Sequence, residues 1–115
     1  MIKLSEIIEK LDLEVKCAKD MLDSEVTGGY ASDLLSDVMA NSKLGNVWVT
    51  MQIHMNIVAV ASLKELTAII LVNGRKPDSD TIEKAKGEKI PILTSQLSAF
   101  ELTGRLYQMG IRGMT

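Results

Sequence analysis

Residues able to do chemistry cluster in three short stretches of this sequence: Thr50, Gln52, His54 and Asn56; Asn73, Gly74, Arg75 and Lys76; and Thr94, Ser95 and Gln96. Each stretch follows a run of β-branched or aliphatic residues and precedes a segment with helical spacing. Free backbone N–H groups at helix starts, joined by Arg75 and Lys76, would favour a small anion such as a phosphate or carboxylate. Thr50, Gln52, His54, Asn56, Asn73, Gly74, Arg75, Lys76, Thr94 and Ser95 are therefore the candidate ligand-binding residues. The competing explanation is ordinary turn and cap chemistry, which puts polar residues at strand-to-helix junctions in any α/β protein.

The same residues assemble no catalytic set. His54 is the only histidine, open to roles as base, ligand contact or loop residue, and it has no second histidine for a metal pair. No phosphate-binding loop, Gly-x-Gly-x-x-Gly, Gly-x-Ser-x-Gly or His-Glu-x-x-His occurs. Asp33 and Asp37 fall one helical turn apart and could share a cation, although a solvated helix face explains them more simply. The expectation is a protein that is not an enzyme and carries no metal or cofactor.

Composition narrows the classes further. Net charge is −2 with acids and bases mixed, which excludes the basic stripe of a nucleic-acid binder. The single cysteine, Cys17, rules out an internal disulfide and reads as a small buried hydrophobe, consistent with a cytoplasmic protein. Leu44 to Leu63 carries no formal charge, but Gln52, His54 and Asn56 interrupt it at the centre, so it does not read as a membrane span. Glu6, Glu9 and Lys10 break up the N-terminus as a signal peptide.

These stretches need a scaffold to bring them together. Ser5 is placed to cap a helix reaching residue 10 or 11, and residues 13–18 alternate as a half-buried strand. The paired Gly28-Gly29 marks backbone with positive φ or a close approach to another group. A helix is expected from Ser32 or Asp33, a strand over 47–51 containing Trp48, and a helix over 57–63 capped by Asn56. Trp48 is expected in the core or at a subunit contact. Met51 and Met55 read as gap-fillers in an aromatic-poor core. The helix at 57–63 is apolar almost all round, so it must be covered on several sides, by this chain or by a second copy.

Residues 68–72 form a continuous apolar run, the pattern of a central parallel strand. A polar helix from Asp78 or Ser79, a strand over 90–94 and a last helix with Phe100, Leu102, Leu106 and Met109 as its apolar positions complete the chain. Strand and helix thus alternate, which implies a three-layer α/β sandwich with a mostly parallel central sheet and helices on both faces. One domain over 1–115 is expected, fraying at 110–115. The direction of the strand near residue 14 stays open.

Val26-Thr27-Gly28-Gly29-Tyr30 followed by Ser32 to Met39 resembles the small stand-alone DRTGG-domain proteins. So do Trp48-Val49-Thr50 with Gln52, His54 and Asn56 to Ala61, then Ile69 to Leu71 with Asn73 to Pro77, and Ile90 to Leu93. No literal Asp-Arg-Thr-Gly-Gly string occurs, and residues 54–56 contain neither Asp nor Arg. The resemblance implies a regulatory domain of the kind joined to nucleotide-sensing CBS domains and similar to the N-terminal domain of HPr kinase/phosphorylase, without the kinase chemistry. Together with the polar strand ends and the apolar helix at 57–63, it leads to the expectation of a homodimer binding a small anionic metabolite or nucleotide at the C-terminal rim of the parallel strands. Because stand-alone members are often encoded beside redox genes, it also admits an adaptor role with a hydrogenase or other redox complex as protein partner.

Overall fold

A computed structural model describes residues 1–113. The first half runs β1 (Ile2–Lys3), α1 (Leu4–Leu11), β2 (Glu14–Val15), β3 (Glu25–Val26), β4 (Gly28–Ala31) and α2 (Leu35–Asn41). The second half runs β5 (Asn46–Thr50), α3 (Asn56–Lys64), β6 (Ala68–Leu71), α4 (Ser79–Glu88), β7 (Ile92–Thr94) and α5 (Ala99–Gln108). A five-stranded sheet in the order β2-β7-β6-β5-β4 forms the middle layer, and β1 and β3 pair as a separate antiparallel ribbon.

Strand periodicity sorts the central side chains onto two faces. Val47 and Val49 of β5, Ala68 and Ile70 of β6 and Leu93 of β7 pack with Leu4, Ile7 and Leu11 of α1 and Leu102 and Leu106 of α5. Trp48, Ile69, Leu71 and Ile92 point the other way, onto Val38 of α2, Ile57, Val58 and Ala61 of α3 and Ala85 of α4. This is the three-layer α/β sandwich that the alternating elements imply. β4, β5, β6 and β7 are mutually parallel, and β2 joins antiparallel to β7, which settles the direction that the sequence left open.

Several boundaries move for identifiable reasons. Ser5 is not the first cap: α1 starts at Leu4, and the Lys3 N–H donates to the Glu6 carboxylate at 3.1 Å. The strand expected over 13–18 shrinks to Glu14–Val15, although the Lys16 N–H still donates to the Ile92 carbonyl at 2.8 Å. Asn56 is the first residue of α3 rather than its cap, and its side chain makes no capping bond. Cys17 is buried as expected, its thiol against the Ile90 carbonyl at 3.4 Å, and burial raises its pKa. Trp48 is fully buried, with its indole N–H donating to the Ser32 carbonyl at 2.8 Å.

The apolar helix α3 owes its composition to its own chain. It lies between α2 and α4 over the sheet, burying Ile57, Val58, Val60 and Ala61 and leaving Ala59 and Leu63 outside. Phe100, expected on the apolar face of α5, is instead 88% exposed, because Leu102 and Leu106 take the inward positions.

Gly28 and Gly29 belong to strand β4, and the close approach they permit is by the end of the chain. The Gly29 N–H donates to the Arg112 carbonyl at 3.0 Å, and a Cβ on Gly28 would sit 2.6 Å from that same oxygen. Ile111 is buried and Arg112 stacks over the Tyr107 ring, 3.9 Å from its centroid. The fraying expected over 110–115 is therefore corrected for 110–113, and 114–115 lie outside the described residues.

Gly28→Ala must displace backbone, so thermal unfolding should show a loss of about 1–3 kcal/mol. A methyl group on Gly87 in α4 would meet nothing within 4 Å, so Gly87→Ala should raise stability by up to about 1 kcal/mol on helix propensity alone. Equal effects at the two positions would contradict the packing of the chain end on β4.

Candidate functional site

The parallel strands end in register. Thr50 lies opposite Leu71, and Leu71 opposite Thr94, so the three polar stretches meet along one rim of the sheet. Because β2 runs antiparallel, it brings its first residue, Glu14, to the same rim opposite Thr94. Beyond β4 the chain delivers Asp33 there as well. Neither carboxylate was legible in the sequence as a rim residue: Glu14 because its strand direction was open, and Asp33 because it reads as part of a helix.

Asp33 precedes α2 and is committed to β5. Its Oδ1 accepts from the Thr50 hydroxyl at 2.8 Å and from the Met51 N–H at 2.7 Å, while Gln52 Nε2 donates to the Asp33 carbonyl at 3.1 Å. The Thr50 hydroxyl in turn accepts from the Gln52 N–H at 3.2 Å. Thr50 and Gln52 are thus brought together around Asp33. Asp33 and Asp37 do not share a site, since Asp37 accepts from the Tyr30 hydroxyl at 2.7 Å and from Asn41 Nδ2 at 2.8 Å.

The next turn is built from left-handed backbone at Asn73 (φ 57°) and Gly74 (φ 66°). It is fastened to the β7 end: the Asn73 N–H donates to the Leu97 carbonyl at 2.8 Å, and the Gly74 N–H to the Ser95 carbonyl at 2.9 Å. Asn73 Nδ2 contacts Met51 Sδ at 3.0 Å, and the Ser95 hydroxyl accepts from the Leu97 N–H at 3.1 Å. A Cβ at Gly74 would meet only the far end of the flexible Gln96 side chain, Oε1 at 2.7 Å, so it is the positive φ that favours glycine here. Thr94 and Ser95 are buried, whereas Arg75 and Lys76 are exposed.

This bonding revises the expected anion cradle. The backbone donors of residues 51, 52, 73, 74, 75, 95 and 97 are all used within the chain. The groups left to meet a ligand are side chains. Arg75 and Lys76 have no carboxylate within 4.0 Å among the described residues. Lys76 lies near enough to Glu14 to help hold that carboxyl low, behind the larger effect of Lys16, which bonds Glu14 at 2.7 Å. His54, on the loop leading into α3, places its Nδ1 3.1 Å from Oδ2 of Asp78, which precedes α4, and both are exposed. Asn56 is exposed beside it at the start of α3.

A small hollow of about 180 Å³ opens beside Asp33, Thr50, Met51 and Val72, and it takes in Thr50 alone of the candidate residues. A larger hollow, about 740 Å³ and open to solvent, lies away from the rim between α1 and α5, against Glu6, Lys10 and Arg105. Among the described residues no three His, Cys, Asp or Glu side chains gather as a metal site would require, and no helix is long and apolar enough to cross a membrane.

Neither a family model nor a curated protein matches the chain. Among solved structures it is similar to the CBS and DRTGG domain region of the regulatory part of Clostridium perfringens pyrophosphatase, determined with the activator diadenosine tetraphosphate. The TM-score is 0.72 at 17% identity over 98% of this chain. The chain spans 50% of that solved chain. At this identity the likeness is one of fold, and the fold is DRTGG-like.

One polar cluster on the flank of the rim predicts a pH effect. Hydrogen bonds from Tyr30, and then from Ser32 and Asn41, hold the Asp37 carboxyl below the ordinary aspartate range. A depressed folded pKa adds stability above the unfolded pKa, and that contribution disappears as pH falls through the folded value. Asp37→Asn should therefore be less stable than the parent at pH 7, with the gap narrowing below about pH 4 in urea unfolding series. A gap constant from neutral to strongly acidic pH would contradict this assignment.

Proposed function

We propose that this chain is a regulatory module that binds a small anionic metabolite, up to a nucleotide in size, without converting it. The ligand sits at the C-terminal rim of the parallel strands, against Arg75 and Lys76, with His54, Asn56 and the Asn73-Gly74 turn beside them. The observation that carries this reading is the exposed pair of cations on a turn held rigidly by β7, with no carboxylate within 4.0 Å among the described residues. A fixed turn loses little entropy on binding, and a charge without a partner gives up little when it pairs with an anion.

The fold supports the same reading. A similar fold forms part of the regulatory region of a pyrophosphatase determined with a dinucleotide activator. Kinship with the N-terminal domain of HPr kinase/phosphorylase rests on the sequence resemblance alone. The absence of turnover is part of this proposal; among the described residues His54 is paired with the exposed Asp78.

The test is a thermal-shift panel of nucleotides, dinucleoside polyphosphates, pyrophosphate and acyl phosphates. A ligand at about 100 times its Kd stabilises by about 2.7 kcal/mol, a shift on the order of ten degrees for a chain this small. The expected result is a hit lost in Arg75→Ala and Lys76→Ala, with the ligand recovered unchanged after incubation. A flat panel, or a hit indifferent to both substitutions, would sink the proposal.

A further inference from the structure

The hollow of about 180 Å³ beside Asp33 opens where β5 and β6 end and α5 begins. Val49 and Val72 line it with branched apolar carbons, Met51 adds a thioether, and Ala99 belongs to the first turn of α5. Its volume equals that of about six waters at roughly 30 Å³ each. A whole metabolite takes roughly 300 Å³ or more, so the hollow suits one ring of a larger ligand. A methionine sulfur beside an apolar wall favours a flat aromatic group. Here the sulfur is held in place, 3.0 Å from Asn73 Nδ2.

Asp33 gives the hollow its polarity. Its Oδ1 accepts from the Thr50 hydroxyl and from the Met51 N–H, and Gln52 Nε2 holds its backbone carbonyl. Both side-chain bonds fall on one oxygen, and Oδ2 has no hydrogen-bond partner among the described residues. No cationic side chain lies within 4.0 Å of this carboxylate among the described residues. A carboxylate held in this way accepts from an N–H and repels another acceptor. The hollow therefore selects a ring with an N–H donor on its edge.

The rim cations lie close by. Val72, which lines the hollow, accepts from the Arg75 N–H at 3.1 Å. Lys76 follows, near enough to Glu14 of β2 to act on its carboxyl. Across the sheet order β5-β6-β7-β2, the hollow comes first, then Arg75, then Lys76. An acceptor at one end and two cations at the other orient a ligand with a donor ring at one end and negative charge at the other.

We propose that the hollow beside Asp33 receives the base of a nucleotide whose ring bears an exocyclic amino group, with its phosphates on Arg75 and Lys76. This names the ligand class of the rim site and rests on the anion reading of Arg75 and Lys76.

Calorimetric titration of the full chain with ADP, IDP and pyrophosphate tests it. ADP and IDP share charge and size and differ along one ring edge, amino in ADP and oxo in IDP. ADP should bind about tenfold or more tightly, since IDP sets an oxygen acceptor against the carboxylate. Asp33→Asn keeps an oxygen for Thr50 and Met51 and replaces Oδ2 by an amide donor. It should cancel or invert the ADP preference and leave pyrophosphate binding in place. Ala99→Leu, at an exposed position, should narrow the hollow and weaken ADP without weakening pyrophosphate. Equal affinity for ADP and IDP, or an ADP preference that survives Asp33→Asn, would overturn the base site. Pyrophosphate binding lost in Arg75→Ala would in that case leave the anion site standing, whereas binding of none of the three probes would overturn both.

Discussion

Strands β5 and β6 bury every one of their side chains, on both faces of the sheet. Such strands have no side that can face water, so helices must cover them above and below. α1 and α5 meet the face of Val49 and Ile70, while α2, α3 and α4 meet that of Trp48 and Ile69. Trp48 couples the layers to the edge: its ring fills the second core, and its indole N–H holds Ser32 where β4 ends. The position of Asp33, and through it the ends of β4 and β5, follows from that placement.

Covering the centre leaves the edges to be managed. At one edge β2 is short, with Glu14 and Lys16 paired at its surface. At the other, β4 is made of Gly28, Gly29, Tyr30 and Ala31, and the end of the chain lies against it. An uncovered strand edge invites pairing with another chain. The Arg112 carbonyl answers the outward N–H of Gly29.

The interior was the most legible part of the sequence. Unbroken runs such as Val47-Trp48-Val49 and Ala68 to Leu71 have one physical solution, a strand buried on both sides, and they form β5 and β6. β4 was not legible as a strand, because glycine has low strand propensity and its place is decided by a tertiary contact with Arg112. Phe100 misled in the opposite sense: its type says core, but Leu102 and Leu106 already fill the inward stripe of α5. At the rim, the parallel register that aligns Thr50, Leu71 and Thr94 was implied by the alternation of elements. The commitment of backbone donors at 51, 73, 74 and 95 was not, because each depends on a partner distant in sequence, such as Asp33 for Met51. Residue types located the rim, while hydrogen bonding decides which of its groups remain free.

What remains free at the rim is the exposed pair of side chains Arg75 and Lys76. A ligand site built on them, as proposed, would select for negative charge more than for shape. The most direct measurement is a proton–nitrogen NMR titration of the labelled chain with diadenosine tetraphosphate, and with pyrophosphate in parallel. Amide shifts at saturation should cluster at 54–56, 73–76 and 95–96, while strand interiors stay unmoved. Shifts confined to other surfaces, or none with either anion at millimolar concentration, would contradict an anion site at this rim.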